Sequence, residues 1–528
     1  MANFSNALFY GLLFFIWFAA TTFFRYVLKK RKNGSKPVRH PPSPPSLPII
    51  GHLHLLGSIA SKSFQTLANQ YGPLIRLRIV SSTVVVVSNA AVAKEFLKNN
   101  EMNFVSRPQF GAADFNIYAG SEFVNAEYGP YWRFMKKLCM TELLSVPQVN
   151  RFVDIRRQEM MKLLEILVSF SEEGKACNLG VELMTMTNNV VSRMAMSTRC
   201  TPALDESKLL WEFVKEILEL APKFALGELF GPIGKFDLFG YGKRAKALIS
   251  KFDSLVEKIM VEHEDELNSS SKERKDMMDI LLEIHRDKTA EVKLSRTDIK
   301  SFLMLHRKNG QELFMAGTET VSVALTWTLA ELINHPKVFQ QLRDEINAVV
   351  GSKRRVQESD VPKLLYLQAV VKESLRLHAP APLIFRRCGE DCKINGYDIL
   401  ANERVAFNVF AIMKDPSSWD NPLEFQPERF MVGSKGAYDD YQMDIKGQNF
   451  NIFPFGSGRR GCPGASLALA VVHSAVALLV QCFDFRVQGG EKINIEEGSG
   501  LSAGLAHPLM CYVTPHLNPL ELVVNEAK

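Results

Sequence analysis

From Ala7 to Phe24 the chain reads ALFYGLLFFIWFAATTFF, without one charged side chain. A helix rising about 1.5 Å per residue over this length nearly crosses a hydrocarbon core of roughly 30 Å. Lys29, Lys30, Arg31 and Lys32 follow at once, whereas MANFSN before the run has no basic residue. Basic flanks stay on the cytosolic side of a membrane, so the run predicts one retained spanning helix with the bulk of the chain in the cytosol. A cleaved secretory signal, cut near Ala19 and Ala20, is the alternative, and the missing basic n-region argues against it.

The segment Pro41-Pro42-Ser43-Pro44-Pro45-Ser46-Leu47-Pro48 comes next. Proline lacks an amide donor, so this stretch predicts a stiff extended strut rather than a helix. Ile49-Ile50-Gly51-His52 follows directly and is expected to dock on the globular part. The expected layout is an anchor with its basic stop over 1–33, a proline-rich hinge over 34–51, and one large domain over 52–528.

Within that domain, Leu74–Val80 and Thr83–Val87 flank Ser81-Ser82, and the β-branched TVVVV run predicts a hairpin. Beyond it, Ile155–Phe170, Ser207–Leu220 and Ala245–His263 place apolar residues three and four apart, the spacing of helices with one buried face. Residues 264–276, EDELNSSSKERKD, read as a polar solvated connector. There is no internal repeat and no second domain boundary. With 46% hydrophobic residues among 528 the chain can bury a large core, and a mainly α fold with a minor β-sheet is the economical reading.

Lys and Arg number 63 against 57 Asp and Glu, and the net +6 is spread rather than gathered in basic blocks, so nucleic-acid binding has no support. The eight cysteines are Cys139, Cys177, Cys200, Cys388, Cys392, Cys462, Cys482 and Cys511. They form no CxxC pair, and read as reduced thiols that are mostly small buried hydrophobes.

Cys462 sits in Phe455-Gly456-Ser457-Gly458-Arg459-Arg460-Gly461-Cys462-Pro463-Gly464, ahead of the apolar stretch ASLALAVVHSAVALLVQCF. Glycines at 458, 461 and 464 permit a turn and a close approach of backbone to sulfur. A helix starting just after Cys462 points its positive end at the sulfur and favours the thiolate. A Gly-rich turn with an incidental buried cysteine would be the bland reading of this loop. Glu373 and Arg376 in KESLRLH lie three apart on one helical face and can pair with each other and with a distant third charge. Ala316-Gly317-Thr318-Glu319-Thr320 puts an acid and a hydroxyl beside a glycine within a helix. There the bland reading of Thr320 is a hydroxyl bonded back to its own helix.

The order Phe455, Gly458, Arg460, Cys462, Gly464 matches the haem-binding loop of the cytochrome P-450 family at every characteristic position. The resemblance runs from the proline strut to His507-Pro508. It is closest to plant microsomal members, in the group of flavone synthases, isoflavonoid hydroxylases and an oleanane triterpene hydroxylase. It implies that Cys462 ligates haem b iron as a thiolate and that Arg460, Arg386 and Trp132 with Lys136 contact the haem propionates. Lys136 stands where arginine is frequent in the family. Arg429 would complete a structural ion triad with Glu373 and Arg376. Gly317 would let the helix open beside the iron, next to Ala316. Glu319 and Thr320 would deliver protons to dioxygen. Arg133 and Lys137 would face an acidic flavoprotein.

Implied too are electrons from NADPH through NADPH–cytochrome P-450 reductase, O2 and a small lipophilic substrate. The implied place is the endoplasmic reticulum membrane, with a single-pass anchor in lipid and the catalytic domain facing the cytosol. By position the pocket wall is expected from 106–126, Phe314, Ala316, Pro382–Phe385 and Ser502–Leu505.

Two departures stand out. Ser301–Glu312, SFLMLHRKNGQE, carries about seven residues more than relatives have before the oxygen-activating stretch, and an insertion of that length turns a helix by only about 20°. Val321 stands where a hydroxyl residue is common. The competing readings are a haem protein impaired by that insertion, and an oxygen-independent isomerase or dehydratase, expected to lose the Glu319/Thr320 pair.

Overall fold

The β-branched run forms the hairpin that the sequence predicts, with β1 over Leu74–Ile79 and β2 over Ser82–Val87 in antiparallel register, Leu74 opposite Val87. Val80 makes the turn in a left-handed conformation (φ 52°). The computed structural model describes residues 11–23, 38–108, 123–124, 126–199, 216, 220, 240–268, 275–289, 291–303, 313–431, 444–490, 492–500, 502–517 and 519–520. The basic run Lys29–Lys32, most of the predicted helix Ser207–Leu220, and residues 304–312 of the unusual segment lie outside them.

The apolar run is helical over Gly11–Phe23 in the described part, and Leu12 to Phe18 are exposed. The proline stretch is not helical, and it is tied to the sheet: the Arg76 amide donates to the Pro42 carbonyl at 2.8 Å, and Pro41 and Pro44 are buried. His52, 2% exposed, accepts the Arg78 amide at Nδ1 (2.8 Å) and donates from Nε2 to the Pro44 carbonyl (2.8 Å), which fixes its tautomer. Docking therefore runs through His52 and the backbone. Ile49 and Ile50 stay exposed.

The main helices among the described residues are α1 (Ala60–Tyr71), α2 (Pro130–Leu138), α3 (Val153–Glu172), α4 (Leu179–Met196), α5 (Tyr241–Asn268), α6 (Met277–Arg286), α7 (Arg296–Leu303), α8 (Leu313–Asn334), α9 (Pro336–Val350), α10 (Leu365–Leu377) and α11 (Ala465–Cys482). α3 and α5 cover the predicted spans. α5 runs on to Asn268, into the expected connector, and Asp276 at that connector's end is a buried cap that accepts the Asp279 amide at the start of α6 (3.0 Å).

The remaining strands are β3 (Cys177–Asn178), β4 (Leu383–Arg387), β5 (Cys392–Ile394), β6 (Tyr397–Ile399), β7 (Arg404–Asn408), β8 (Phe483–Val487) and β9 (Met510–Pro515). They make a four-stranded sheet in the order β1-β2-β7-β4, a three-stranded sheet β3-β9-β8 and the pair β5-β6. α1 covers one side of the four-stranded sheet by packing Phe64 and Leu67 on Ile75, Leu77, Val84 and Val86.

α11 is apolar all round, with mean hydropathy 2.0, yet it is mostly buried, and so is a core helix rather than a span. α8 crosses α4 at close range. A Cβ on Gly317 would meet Val191 Cγ2 at 2.9 Å, so glycine is needed here for the approach of two helices. Gly317→Ala is expected to cost about 1–3 kcal/mol through this overlap, and adding Val191→Ala to recover most of it, as measured by thermal unfolding.

Candidate haem and oxygen site

Cys462 lies between a short turn and the start of α11. Its amide donates to the Phe455 carbonyl (2.9 Å), and the amide of Gly464, the residue capping α11, points at the sulfur. Burial pushes the thiol up, while the Gly464 amide, Lys136 and Arg107 act to lower it. Gly458 has a left-handed φ of 67°, and a side chain there would run into the Glu101 carboxylate. Glu101 in turn accepts the Arg459 amide (2.6 Å) and pairs with its guanidinium (2.7 Å), which fastens the loop to residues 101–104.

The sulfur opens into a cavity of about 260 Å³. Cys462, Phe455, Gly464, Arg460, Trp132, Lys136, Arg386, Ala316, Gly317 and Thr320 all line it. Phe123, Val124 and Arg107 come from the expected 106–126 stretch, although 109–122 and 125 lie outside the described residues. So do the side chain of Phe314 and residue 501.

Arg460 does not hold its donors free. It donates to the carbonyls of Val105 (2.9 Å), Val124 (3.1 Å) and Ala126, and its guanidinium lies 4.4 Å over the Trp132 ring. Burial and the neighbouring Arg107 bring it down to about 9. Lys136 donates to the Gly461 carbonyl at 2.6 Å, one residue before the cysteine. Arg386 on β4 is 2% exposed, and the one hydrogen bond its side chain makes among the described residues goes to its neighbour's carbonyl, Phe385, at 3.0 Å. Burial, then Arg107 and Arg460, pull its pKa well down. No carboxylate hydrogen-bonds this dry guanidinium among the described residues, and Glu101 offsets the two neighbouring guanidiniums only in part. A macrocycle carrying two carboxylates supplies what this wall needs.

On α8, Ala316, Gly317 and Thr320 share a face, and the Thr320 hydroxyl donates to the Ala316 carbonyl one turn back. Glu319 is not in the cavity wall. One position before Thr320 it is turned by about 100° around the helix, and its buried carboxyl sits by Ser502. Burial raises its pKa and Ser502 partly offsets this. Ser502–Leu505 accordingly back α8 rather than line the cavity: the Ala503 carbonyl accepts Trp327 Nε1 at 2.6 Å. Of Pro382–Phe385, Ile384 alone reaches the wall, joined by Pro380 and Ala381. Thr187, Val190, Val191 and Met194 of α4 were not anticipated, and their place follows from the Gly317 crossing.

Glu373 and Arg376 on α10 are fully buried and paired twice, Nε–Oε2 at 2.7 Å and Nη2–Oε1 at 2.8 Å. Arg429 Nε reaches the same carboxylate at 3.0 Å. The helix start is held from outside by Glu345, whose carboxylate accepts the Tyr366 (2.7 Å) and Leu367 (3.0 Å) amides.

Just past α10, His378 stacks on Trp327 (3.8 Å between ring centres) and donates from Nε2 to Glu331 at 2.6 Å. Burial would raise the Glu331 carboxyl, but the hydrogen bonds from His335 and His378 hold it at about 2. A carboxylate with a depressed folded pKa adds stability that is complete above its ordinary value and is lost as pH falls toward 2. About 3 kcal/mol should therefore disappear between roughly pH 4.5 and 2, and Glu331→Gln should flatten this part of an acid-unfolding curve followed by ellipticity.

A cysteine sulfur under a helix N-terminus, in an apolar cavity ringed by buried cations, defines a haem-thiolate protein. The sequence profile of the Cytochrome P450 family matches residues 41–511. The 3,9-dihydroxypterocarpan 6A-monooxygenase of Glycine max is 41% identical over 517 residues, covering 96% of this chain and 99% of that one. The beta-amyrin 24-hydroxylase of Glycine max is 40% identical, covering 97% and 98%. A solved zebra fish cytochrome P450 with abiraterone superposes with a TM-score of 0.72 at 25% identity, over 87% of this chain and all of that one. The chain belongs to the cytochrome P450 family. It is a monooxygenase by family, with a haem-thiolate iron cofactor and electrons from NADPH through a reductase. The family works on small lipophilic substrates with O2, and its plant members are typically microsomal.

Proposed function

We propose that this protein hydroxylates or desaturates a lipophilic plant secondary metabolite, a flavonoid, isoflavonoid or triterpenoid. The observation that carries the reading is the shared cavity: the Cys462 sulfur and the Ala316-Gly317-Thr320 face of α8 open into one apolar space. Names of the relatives support the substrate classes, a pterocarpan in one and β-amyrin in the other. For hydroxylation the balance is RH + O2 + NADPH + H+ giving ROH, water and NADP+. NADPH–cytochrome P-450 reductase is the proposed electron donor. Residues 1–33 serve as a single-pass anchor in the endoplasmic reticulum, 34–51 as the hinge, and 52–528 as a domain facing the cytosol.

Haem bound here supplies the reduction of dioxygen and the oxygen insertion. Cys462 would hold its iron, and Arg386, Arg460, Lys136 and Trp132 would seat its propionates, Arg460 exchanging carbonyl partners for a carboxylate. Apolar side chains such as Phe123, Val190 and Ile384 exclude water and seat a flat, lipophilic substrate. Thr320 holds a hydroxyl in the cavity that donates to the Ala316 carbonyl at rest; turned off that carbonyl, it would donate its proton into the cavity and accept a replacement on the same oxygen. Glu319 acts from behind the helix, on the Ser502 side.

Microsomes containing this protein and the reductase, given NADPH and separately a flavanone, a pterocarpan and β-amyrin, are expected to add one oxygen atom to, or remove two hydrogens from, one of them. A haem-loaded, reducible enzyme that changes none of the three overturns the substrate classes. Thr320→Ala is expected to lower product per NADPH by about a hundredfold, the low end for a positioned acid or base, while NADPH is still consumed and peroxide accumulates. Full coupling in that variant would sink the relay assignment.

The polar His306-Arg307-Lys308-Asn309-Gly310, with a helix-breaking Asn-Gly shortly before Gly317 in the sequence, favours a second reading, a haem protein impaired in turnover. A normal reduced-CO spectrum with no turnover on any substrate would select it. Retention of the Glu319/Thr320 pair disfavours an oxygen-independent isomerase or dehydratase.

A further inference from the structure

Cys388 and Cys392 stand apart from the site residues, yet their sulfurs are 4.0 Å apart across the turn Gly389-Glu390-Asp391 between β4 and β5. Cys388 is buried and Cys392 is half-buried. Asn103 clamps this turn. Its carbonyl accepts the Gly389 amide (2.8 Å), and its side chain accepts the Glu390 amide (2.7 Å) and donates to the Glu390 carbonyl (2.9 Å). The same amide group lies 3.7 Å from the Cys388 sulfur, whose own S–H donates to the Glu390 carbonyl at 3.0 Å. Two residues before Asn103 comes Glu101, the residue that holds Arg459 in the Cys462 loop. One short segment thus grips the thiol turn at one end and the cysteine loop at the other.

We propose that Cys388 and Cys392 form a redox pair that closes to a disulfide in exchange with a small-molecule disulfide such as oxidised glutathione, and that closure loosens the Asn103 clamp and through Glu101 the Cys462 loop. A disulfide needs the sulfurs to approach to about 2.05 Å, a movement of about 2 Å that a three-residue turn can supply. The more accessible Cys392 attacks the glutathione disulfide first, forming a mixed disulfide and releasing one glutathione thiolate. Cys388 then gives up its proton and displaces the second glutathione. Two protein thiols are oxidised to one disulfide, and one oxidised glutathione becomes two thiols. Closure consumes the S–H that Cys388 donates to Glu390 and moves the sulfur away from Asn103. Burial raises both thiols, Cys388 to about 12, so exchange is expected to be slow at neutral pH and faster in mild alkali.

The test treats the full-length protein in detergent with oxidised glutathione, blocks remaining thiols, and maps peptides without reduction. The wild type is expected to yield one linked Cys388–Cys392 product lacking two hydrogen atoms and reversible by dithiothreitol. Cys388→Ser should retain a glutathione adduct on Cys392, because its resolving partner is gone, while Cys392→Ser should leave Cys388 unmodified. Recovery of both cysteines as free thiols in the wild type, or a stable adduct there, overturns the pair. Cys392→Ala provides the same comparison should serine perturb this half-buried position.

The coupling to the Cys462 loop rests on the haem reading, whereas the peptide map does not. In the reduced-CO spectrum the wild type should lose its band as the disulfide forms and regain it with dithiothreitol, and Cys392→Ser should hold it. An unchanged wild-type band with the disulfide formed overturns the coupling.

Discussion

Arg376→Ala should destabilise the protein by about 3–5 kcal/mol, the cost of breaking a buried ion pair from one side. Glu373 is fully buried, and its carboxylate would be left with Arg429 and the Gln426 amide as partners. The loss does not stop at the pair. Arg376 also donates to the carbonyls of Met413 (3.0 Å), Pro422 (2.8 Å) and Glu424 (3.3 Å), and its guanidinium lies 5.0 Å from the Trp419 ring centre. Those carbonyls lie in the chain that runs from β7 towards the Cys462 loop, so one guanidinium fastens α10 to the approach of the cysteine. Lysine cannot replace it, because a single ammonium cannot meet a carboxylate twice and three carbonyls in different directions. Thermal unfolding of the protein without and with haem is the measurement. A loss below about 1 kcal/mol would mean that the pair behaves like a surface ion pair.

The three charges show what a sequence can and cannot carry. Glu373 and Arg376 were legible because a three-residue spacing puts two side chains on one helical face. Arg429 was legible through the family pattern. Their carbonyl partners were not, since no local spacing says which distant backbone a buried guanidinium meets. The same divide runs through the site. Cys462 and its glycines announce themselves in one loop, although Gly458 turns out to make room for Glu101 rather than for backbone at the sulfur. The face of α8 follows from helical geometry, which sets Ala316, Gly317 and Thr320 together and turns Glu319 away.

The wall supplied by α4 was out of reach, because it depends on how closely two helices cross, and that is decided by a through-space contact between Gly317 and Val191. Ser502–Leu505 were assigned to the wall by position along the chain, and Trp327 binding the Ala503 carbonyl places them behind α8 instead. The proximity of Cys388 and Cys392 escaped for the same reason: a CxxxC spacing is uninformative until a turn brings the sulfurs together.

Cys462→Ser should leave the fold intact and remove the red-shifted reduced-CO band completely. The side chain faces the cavity rather than the packed core, so its truncation by chemistry and not by size is expected to change stability by no more than about 0.5 kcal/mol. What changes is the donor. Burial works against an anion at this position and the Gly464 amide, Lys136 and Arg107 offset it only in part, so a thiol can still ionise onto a metal here, whereas a serine hydroxyl, with a far higher pKa than a thiol, stays neutral in the same field. Arg386, Arg460 and the apolar walls are unaltered, so haem can still be retained without its thiolate.

The two variants therefore separate two kinds of dependence. Arg376→Ala removes the support and should lower the unfolding midpoint whether or not haem is present. Cys462→Ser removes the ligand and should leave that midpoint nearly unchanged in the protein without haem. A red-shifted band surviving in Cys462→Ser would sink the ligand assignment. Apoprotein stability lost to the same degree in both variants would instead show that the loop sulfur is part of the core, and that the field around it serves packing rather than iron.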